Sequence, residues 1–467
     1  MTKSKHKLTD VAREMMSGVV QIHVEGYIEE DIQSILNPSI KIPGIWSGSG
    51  FFVKFKNLEG YIVTNAHVIR NAYKVEISSM LTSEERFDTE IVGLVKQLEP
   101  DVALIKLTDE ELKRFKKTAI QPIAYLELSE KTNPSRGEAI KAIGYPLGMV
   151  EPNITGGEIT NFISGSELTT ERFVTNAAIN PGNSGGPSIN ENFEVVGLNT
   201  AMMVNAENIG FITPASFVKI IIENLLLFNE PHFADIGGKL QKNAENFNLF
   251  LNQSQAKGVI VSKVLKNGFL ESAKIQPYDV ILSINQVEFD RHGIVMGKEG
   301  IYRHKNIFDI IKLIPIGQEV EITYLRNGKR ETTKAFAMRD PQKGIVSNPI
   351  LNERAYLEVF GMIIQPLSFE IIQAIQEIDP YSQVDLLKVI DQDQPMLVVT
   401  HIYQGTEADE MEWSIGELIT QANHQEVHTL EEFQKVVEDN RGKSILIKCL
   451  SGTIGYFNVE ESIKFGI

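Results

Sequence analysis

Asn176-Ala-Ala-Ile-Asn-Pro-Gly-Asn-Ser-Gly-Gly-Pro187 is the stretch on which the interpretation of this 467-residue chain depends. Three glycines and two prolines surround one serine, Ser184. Glycine permits backbone conformations that other residues avoid, and proline is excluded from helix interiors and central strands. The stretch is therefore predicted to be a tight loop that holds a hydroxyl beside several backbone N–H groups. Such a loop is either an ordinary glycine-rich turn or a nucleophile beside its own oxyanion hole.

Composition restricts the classes of protein to be considered. The length predicts about three domains, and 42% hydrophobic with 23% charged residues is ordinary for globular protein. A net charge of -16 argues against nucleic acid and anionic membrane as partners, since both select basic surfaces. The single cysteine, Cys449, excludes an intrachain disulfide and fits a reducing compartment. No membrane span and no secretory signal are recognisable, which predicts a cytoplasmic or other intracellular soluble protein.

The first half of the chain reads as a series of short strands with turn residues between them. Alternation begins at Val19–Val24, and a hairpin is predicted from Ser47 to Thr64, whereas residues 28–46 are predicted to be an irregular loop. This pattern favours a sandwich or barrel. A helix is predicted to close the region, with Thr213 as its cap and an apolar run that ends at Phe228.

An internal repeat occupies the second half. Each copy has the order strand, short helix, strand, helix and hairpin, and the first copy carries an extra loop over residues 292–306. The repeat is too long and too few in number for a solenoid, so it predicts two small α+β domains. The predicted boundaries are 1–230 for the β-rich domain, 231–342 for the first repeat and 343–467 for the second.

Three separate segments supply the groups that a serine nucleophile needs. Thr64-Asn-Ala-His-Val68 ends one strand and contributes His67, and Asp101 begins another. A serine hydroxyl needs a histidine to accept its proton and a carboxylate to orient that histidine. Taken singly, His67 and Asp101 have ordinary structural explanations. Their order with Ser184, inside one all-β region, favours a catalytic triad.

These motifs resemble the signatures of the Deg/HtrA serine proteases, a branch of the trypsin-like group. The likeness continues through Gly197-Leu-Asn-Thr200, and the two repeats resemble PDZ domains. The layout of the tail is similar to that of plant Deg proteases of the Deg9 and Deg2 type. The resemblance implies a mainly β fold: two six-stranded barrels, followed by two PDZ-like α+β domains.

The resemblance also implies roles for particular residues. His67, Asp101 and Ser184 would be catalytic, and the N–H groups of Gly182 and Ser184 would form the oxyanion hole. Ile179, Leu198, Asn199 and Thr200 lie where the family builds its specificity pocket. That set contains no acid, so a small aliphatic side chain is expected in the pocket, rather than Arg or Lys.

Asn183 departs from the digestive trypsins, in which an aspartate before the nucleophile is held by a newly cut N-terminus. Activation by cleavage is therefore not implied, and the resemblance implies control of the loop through subunit contacts and PDZ ligands. The peptide-binding turn of the first PDZ is predicted at Ile236, Gly237 and Gly238, beside Asp235. In the second repeat Phe360–Ile363 is the analogous turn, and either a peptide site or a closed packing module remains open there.

The predicted function is ATP-independent cleavage of unfolded or damaged proteins by a homo-oligomer built from trimers. The partners expected are unfolded protein or peptide substrates, without nucleic acid. Two alternatives remain: a peptide-binding chaperone or scaffold with a resting protease domain, and a processing protease with a narrow target. No cofactor or metal is predicted, because Gln425 follows His424 where a zinc protease helix has glutamate, and the segment does not read as a helix.

Overall fold

The structure is a computed structural model. It describes residues 13–28, 35–83, 85–95, 100–129, 134–165, 170–202, 209–228, 233–244, 257–297, 304–339, 355–378, 395–459 and 464–466. The chain forms two compact units. One comprises Met1–Val24, Ile45–Ile69 and Lys74–Pro341, and the other comprises Glu25–Gly44, Arg70–Tyr73 and Gln342–Ile467. The predicted boundaries at 230 and 342 stay a prediction.

The first barrel is built from the strands that precede residue 110. Its strands are β1 Val19–Ile28, β2 Ile42–Lys54, β3 Tyr61–Thr64, β4 Ala72–Ser78, β5 Phe87–Leu94 and β6 Ala103–Leu107, and β7 Leu126–Glu127 pairs with β2. They run in the order β1-β4-β5-β6-β3-β2-β7, and an additional pairing of β1 with β2 closes six of them. Helices α1 (Ala66–Ile69) and α2 (Asp109–Thr118) follow β3 and β6.

The prediction of an irregular loop over residues 28–46 is wrong at both ends. Ile28 still belongs to β1, and β2 begins at Ile42 although Pro43 is its second residue. Proline is tolerated near the start of a strand, where the missing N–H leaves the rest of the ladder intact.

The second barrel is closed by the order β10-β13-β12-β11-β8-β9. Its strands are β8 Ala139–Gly144, β9 Asn153–Ile163, β10 Arg172–Thr175, β11 Pro187–Ile189, β12 Val195–Met202 and β13 Gly210–Pro214. Helix α3 (Ala215–Phe228) follows at once and confirms the predicted closing helix. The prediction of Thr213 as its cap is wrong, because Thr213 and Pro214 still belong to β13. Buried side chains of both barrels and of α3 form one core, with Phe51, Leu104, Ile143, Leu198 and Phe217 among its members. The predicted double barrel is thus confirmed, and it positions β3, β6 and the loop before β11 around one region.

The first repeat is an antiparallel sheet with two short helices. Its elements are β14 Gly238–Lys242, β15 Val259–Val264, α4 Phe269–Ser272, β16 Val280–Ile284, β17 Val287–Glu288, α5 Ile307–Lys312, β18 Glu319–Arg326 and β19 Lys329–Phe336. The sheet runs β14-β15-β16-β18-β19, with β14 at an edge. Asn327 and Gly328 both have positive φ and turn the β18–β19 hairpin, as the Asn-Gly pair predicts.

The second repeat has the same elements with strands added. They are β20 Tyr356–Val359, β21 Met362–Pro366, α6 Phe369–Ile378, β22 Leu397–Ile402, α7 Glu407–Glu410, β23 Leu418–Ala422, β24 Gln425–Glu426, α8 Leu430–Glu438, β25 Ser444–Cys449, β26 Ile454–Asn458 and β27 Lys464–Gly466. Its sheet runs β26-β25-β23-β22-β21-β20-β27. Leu36, from the segment before β2, lies in the same buried cluster as Ile372 and Val398. The Gln365 side chain donates to the Ile35 carbonyl at 3.1 Å, so this segment is part of the second unit.

Candidate active site

His67 and Asp101 are brought together by two hydrogen bonds. β3 ends at Thr64, and the short helix α1 turns His67 towards Asp101, which lies just before β6. Asp101 Oδ1 accepts the His67 backbone N–H at 2.9 Å, and Oδ2 lies 2.5 Å from His67 Nδ1. The Asp101 side chain is 8% exposed and that of His67 is 45% exposed. One carboxylate therefore fixes both the backbone and the ring of His67, and the ring remains accessible from solvent.

The Ser184 loop has a backbone that only glycine permits. The Asn183 N–H donates to the Asn180 carbonyl at 2.9 Å, and Gly182 has a φ of 98°, which is the geometry of a type II turn. Gly185 has a φ of 87°, and a Cβ placed there would lie 2.0 Å from the Ser49 carbonyl oxygen. Glycine is therefore needed at 182 and 185 for the positive φ, and at 185 also because the loop approaches β2 too closely for a side chain.

Between Gly182 and Gly186 the loop has five N–H groups, of which those of Asn183, Gly185 and Gly186 are hydrogen-bonded to backbone carbonyls. Gly185 donates to the Asn199 carbonyl at 2.8 Å, and Gly186 donates to the Asn183 carbonyl at 3.0 Å. Among the described residues, the N–H groups of Gly182 and Ser184 donate to no protein acceptor. These are the two groups predicted from the sequence as oxyanion donors.

Asn65 connects the Asp101 side of the site to the Ser184 side. Its fully buried side chain donates to the Asp101 carbonyl at 2.6 Å, and its Nδ2 lies 3.4 Å from Thr200 Oγ1. Ser184 Oγ donates to the Thr200 carbonyl at 3.2 Å. All three predicted catalytic residues therefore adjoin one hydrogen-bond network. Sequence reasoning missed Asn65, although it stands within the quoted histidine motif.

The predicted pocket residues are all buried, but they contribute differently. The Asn199 side chain is committed to structure, because it accepts from Ser188 Oγ at 2.6 Å and donates to the Ile143 carbonyl at 3.2 Å. Ile179 instead fills space against Gly210, where an added Cβ would lie 2.7 Å from its Cδ1. Leu198 lies in the shared core of the barrels. The Thr200 hydroxyl is also committed to structure, because it donates to the Leu198 carbonyl at 3.0 Å and lies 2.8 Å from Thr213 Oγ1. The pocket made by these four residues stays a prediction.

The predicted peptide-binding turn of the first repeat is partly occupied by its own chain. The Gly237 N–H, in a residue with a φ of 70°, donates to Asp235 Oδ1 at 2.7 Å. Ile236 and Gly238 are buried, and the Ile236 carbonyl accepts from the Leu270 N–H at 3.2 Å. An incoming carboxylate would therefore compete with the Asp235 carboxylate for this turn.

Helix α5 of the first repeat contacts the second barrel. Asn306 caps α5 in a capping box with Asp309, and the Asp309 carboxylate also accepts the N–H groups of Gly165 at 3.1 Å and Glu171 at 2.9 Å. Lys305 forms an ion pair with Glu171, and both side chains are fully buried. The Phe162 ring stacks on His304 at 4.0 Å between centroids. The loop between β9 and β10 thus contacts the start of α5.

In the second repeat the corresponding strand edge is covered. β21 pairs with β22 on one side and with β20 on the other, and β20 pairs in turn with β27. Phe360 and Gly361 form the β20–β21 turn with positive φ, and the Phe360 ring stacks on Phe457 at 4.8 Å. The predicted turn at Phe360–Ile363 is therefore a hairpin. β20 lies on the side of β21 that corresponds to the side of β14 on which no strand of the described residues pairs.

Two titratable side chains outside the site, those of His23 and Cys449, have pKa shifts that favour their neutral forms. The pKa of His23 is lowered to about 4, mainly because burial disfavours the charged imidazolium. Burial likewise raises the pKa of the Cys449 thiol, because it disfavours the thiolate. Within the described residues there is no group of three or more His, Cys, Asp or Glu that could hold a metal. His424 belongs to the β23–β24 turn, and His428 Nδ1 lies 3.2 Å from the Pro395 carbonyl oxygen. None of the helices in the described ranges is long and apolar enough to cross a bilayer.

Comparison with known proteins agrees with this geometry. Residues 48–198 match the family described as trypsin-like peptidase domain, and residues 236–295 match the PDZ domain. A probable periplasmic serine endoprotease, DegP-like, from Rickettsia conorii is 27% identical over 436 residues, covering 88% of this chain and 76% of the relative. The periplasmic serine endoprotease DegP of Escherichia coli K12 is 26% identical over 398 residues, covering 84% and 72%.

Two further similarities come from another relative and from a solved structure. The serine protease Do-like HtrA of Bacillus subtilis is 30% identical over 305 residues, which is 62% of each chain. The structure of the HtrA-type protease AlgW with a decapeptide covers 72% of this chain and 99% of its own at 21% identity, with a TM-score of 0.52, which supports the fold. The chain is homologous to DegP/HtrA serine proteases, and it is a serine endopeptidase with a trypsin-like domain and a PDZ domain.

Proposed function

We propose that this Deg/HtrA-type serine endopeptidase cleaves unfolded or damaged proteins without ATP, with Ser184 as its nucleophile. The observation that carries the proposal is the pair of hydrogen bonds from Asp101 to His67, together with a loop that leaves the Gly182 and Ser184 N–H groups uncommitted. The three side chains adjoin one network through Asn65 and Thr200. This arrangement matches what acyl transfer requires: a nucleophile, an oriented base and donors for the oxyanion.

The reaction follows from these positions. Asp101 accepts a hydrogen bond from the Nδ1–H of His67 and keeps the ring proton on Nδ1, which leaves Nε2 as the base that removes the Ser184 proton. Ser184 Oγ attacks the peptide carbonyl, and the resulting oxyanion takes hydrogen bonds from Gly182 and Ser184 N–H. His67 then protonates the leaving amine, and water activated by His67 hydrolyses the acyl-enzyme. The loss of one oxyanion donor typically costs about 3 to 4 kcal/mol of activation free energy.

Substrate choice is proposed to favour a small aliphatic side chain before the cut bond. The support is the position of Ile179 against Gly210 and the absence of any carboxylate among the four predicted pocket residues. An enzyme of this kind needs an extended backbone in its cleft, and an unfolded chain offers that more readily than a folded one. Casein and other loosely folded proteins are therefore expected to be cleaved faster than compact ones.

The two repeats are proposed to have different tasks. In the first, β14 pairs only with β15 among the described strands, which suits peptide binding by strand addition, although a ligand must displace Asp235 from Gly237. In the second, β20 occupies the corresponding edge, which favours a packing module over a peptide site. The alternative of a peptide-binding scaffold with a resting protease therefore rests on the first repeat alone. The narrow processing protease remains a separate alternative.

The proposed partners are peptide or unfolded protein substrates and further copies of this chain. The names of the relatives give an endoprotease activity and no subunit number, so the trimer-based homo-oligomer stays a prediction that gel filtration can test. The relatives from Rickettsia and Escherichia are named periplasmic, which argues against the predicted intracellular compartment. Fractionation of the native cell separates the two. The likeness to plant Deg9 and Deg2 proteases rests only on the layout of the repeats.

Casein cleavage by the wild type and by Ser184→Ala tests the proposal. We expect cleavage by the wild type, with new termini after small aliphatic residues, and none by the variant under the same conditions. Cleavage that survives in Ser184→Ala would overturn the assignment of the nucleophile. Substrate that co-purifies with Ser184→Ala distinguishes the alternatives, because a single captured protein favours narrow processing and many unfolded ones favour general degradation.

A further inference from the structure

Ser49 lies at the point where β2 of the first barrel meets the nucleophile loop. Its side chain is fully buried, and it belongs to the stretch Ser47-Gly-Ser-Gly50 at the centre of β2. The Ser49 N–H donates to the Ser184 carbonyl at 2.8 Å. Its own carbonyl accepts from Thr64 Oγ1 at 2.7 Å, which ties it to the strand that leads to His67. One residue therefore contacts both sides of the site through its backbone.

The Ser49 hydroxyl makes two further bonds, which use its single proton and one of its lone pairs. It donates to the Gly182 carbonyl at 2.6 Å, and it accepts from the Tyr145 N–H at 2.8 Å. Gly144 packs directly against it, since an added Cβ there would lie 2.9 Å from Ser49 Oγ. The hydroxyl is thus enclosed and fully directed, and its proton points at the oxyanion loop.

The Gly182 carbonyl belongs to the peptide that links the two predicted oxyanion donors. The N–H end of this peptide, on Asn183, is held by the Asn180 carbonyl, and the C=O end is held by Ser49 Oγ. Both polar ends are therefore fixed, and so is the rotation of the peptide. Because the Gly182 N–H lies just before this peptide and the Ser184 N–H just after it, the directions of both donors depend on it.

The side chain of Asn183 contributes little to holding this conformation. It is buried, but its Nδ2 lies 3.5 Å from the Ala178 carbonyl oxygen, and its Oδ1 has no hydrogen-bond partner in the part of the chain that the structure describes. A hydrogen bond at the limit of the accepted distance is weak. The shortest hydrogen bond to this part of the loop instead comes from the other barrel, through Ser49.

We propose that Ser49 is a positioning residue that holds the nucleophile loop in its oxyanion-binding conformation, a role that rests on the proposed function. It acts on the Gly182–Asn183 peptide and does not touch the substrate. Without the hydroxyl, the Gly182 carbonyl and the Tyr145 N–H lose a buried partner, and the peptide is free to rotate so that its carbonyl finds another donor. That rotation displaces the Gly182 N–H from the developing oxyanion.

The expected signature is a loss of kcat with little loss of substrate affinity. Outright removal of an oxyanion donor lowers kcat by about 10² to 10³. Partial misorientation in Ser49→Ala is expected to lower kcat by about 10- to 100-fold. Peptide affinity should change by no more than about threefold, because an interaction made only in the transition state does not affect ground-state binding. Ser49→Cys, with a weak S–H donor, should fall between Ser49→Ala and the wild type.

The test uses the full-length chain and a peptide with valine before the scissile bond. kcat is measured per active site, with sites counted by the end point of fluorophosphonate titration, and affinity is measured by peptide binding to Ser184→Ala with and without Ser49→Ala. Ser78→Ala is the matched control, because Ser78 is another buried serine of the first barrel whose hydroxyl meets His23 at 2.8 Å, away from the loop. Circular dichroism checks that each variant is folded.

The proposal is supported if kcat per site falls at least tenfold in Ser49→Ala, at nearly constant affinity, while Ser78→Ala behaves as the wild type. It is overturned if Ser49→Ala retains the kcat of the Ser78→Ala control, or if lost affinity accounts for the whole effect. Should Ser49→Ala fail to fold, Ser49→Cys decides: a kcat per site below that of Ser78→Ala at nearly constant affinity supports the proposal, and an equal kcat overturns it. Activity that survives in Ser184→Ala would instead refute the proposed function, so the two failures are distinguishable.

Discussion

Asp101→Asn is the substitution whose effect the geometry specifies most closely. Asp101 uses one oxygen for the His67 backbone N–H, at 2.9 Å, and the other for His67 Nδ1, at 2.5 Å. An asparagine can keep its oxygen on the backbone N–H only by placing its NH₂ group against Nδ1. Nδ1 must then accept a hydrogen bond, which forces the ring proton onto Nε2. The atom that should remove the Ser184 proton would already carry one.

The magnitude follows from the loss of the correct tautomer. In the template serine-protease triad, the same change lowers kcat by about 10⁴ while the geometry stays intact. At about 1.36 kcal/mol for each factor of ten, this corresponds to about 5 kcal/mol of activation free energy. Asp101 is nearly buried and belongs to no predicted pocket, so the apparent affinity for peptide should change little.

The assay is steady-state cleavage of a fluorogenic peptide at pH 7, with Asp88→Asn as the matched control. Asp88 is an exposed carboxylate on β5 of the same barrel, so it tests the loss of a charge without the loss of the tautomer. We expect Asp88→Asn to match the wild type and Asp101→Asn to lose about four orders of magnitude in kcat. A loss of less than tenfold in Asp101→Asn would refute the assignment of Asp101 as the residue that orients His67.

The remaining predictions concern the loop, the contact between the first repeat and the second barrel, and acid stability. Gly185→Ala should abolish activity and lower the melting temperature, because its Cβ would collide with the Ser49 carbonyl; unchanged melting would contradict this. Lys305→Met removes the ammonium from buried Glu171 and should cost about 3–5 kcal/mol in urea unfolding, and a loss under 1 kcal/mol would be inconsistent. The pKa of His23 is 6.5 in the unfolded chain and about 4 in the folded one, so the unfolded state binds a proton first as the pH is lowered. The free energy of unfolding should therefore decrease as the pH drops from 6.5 to about 4. This fall should be smaller in His23→Gln, and an equal fall would exclude His23 as a cause.

Local signals explain why much of the fold could be predicted from the sequence. Alternating strands, the Asn327–Gly328 turn and the helix after Thr213 each depend on neighbours in the chain, so the sequence carries them directly. The triad could be predicted for a related reason. Serine, histidine and aspartate in recognisable local motifs imply their chemistry even before their distances are known.

Contacts between distant residues explain what sequence reasoning missed. Ser49 and Gly182 are 133 positions apart, and nothing near Ser49 indicates that its hydroxyl meets that carbonyl. The buried pair of Lys305 and Glu171 joins the first repeat to the second barrel, so neither residue could be recognised from its neighbours in the sequence as part of a buried ion pair. Leu36 likewise reads as a loop residue, yet it completes a core of the second unit. Each of these features depends on tertiary packing, which overrides local propensity.

The most direct measurement of the central claim is the site of fluorophosphonate labelling, located by tandem mass spectrometry. The reagent reacts with a serine only when a base has activated it, so the label reports the working His67–Ser184 pair. The proposed mechanism predicts one adduct per chain, on Ser184, and none in His67→Ala. Casein cleavage by a wild type whose Ser184 remains unlabelled, or an adduct on another residue, would contradict the claim.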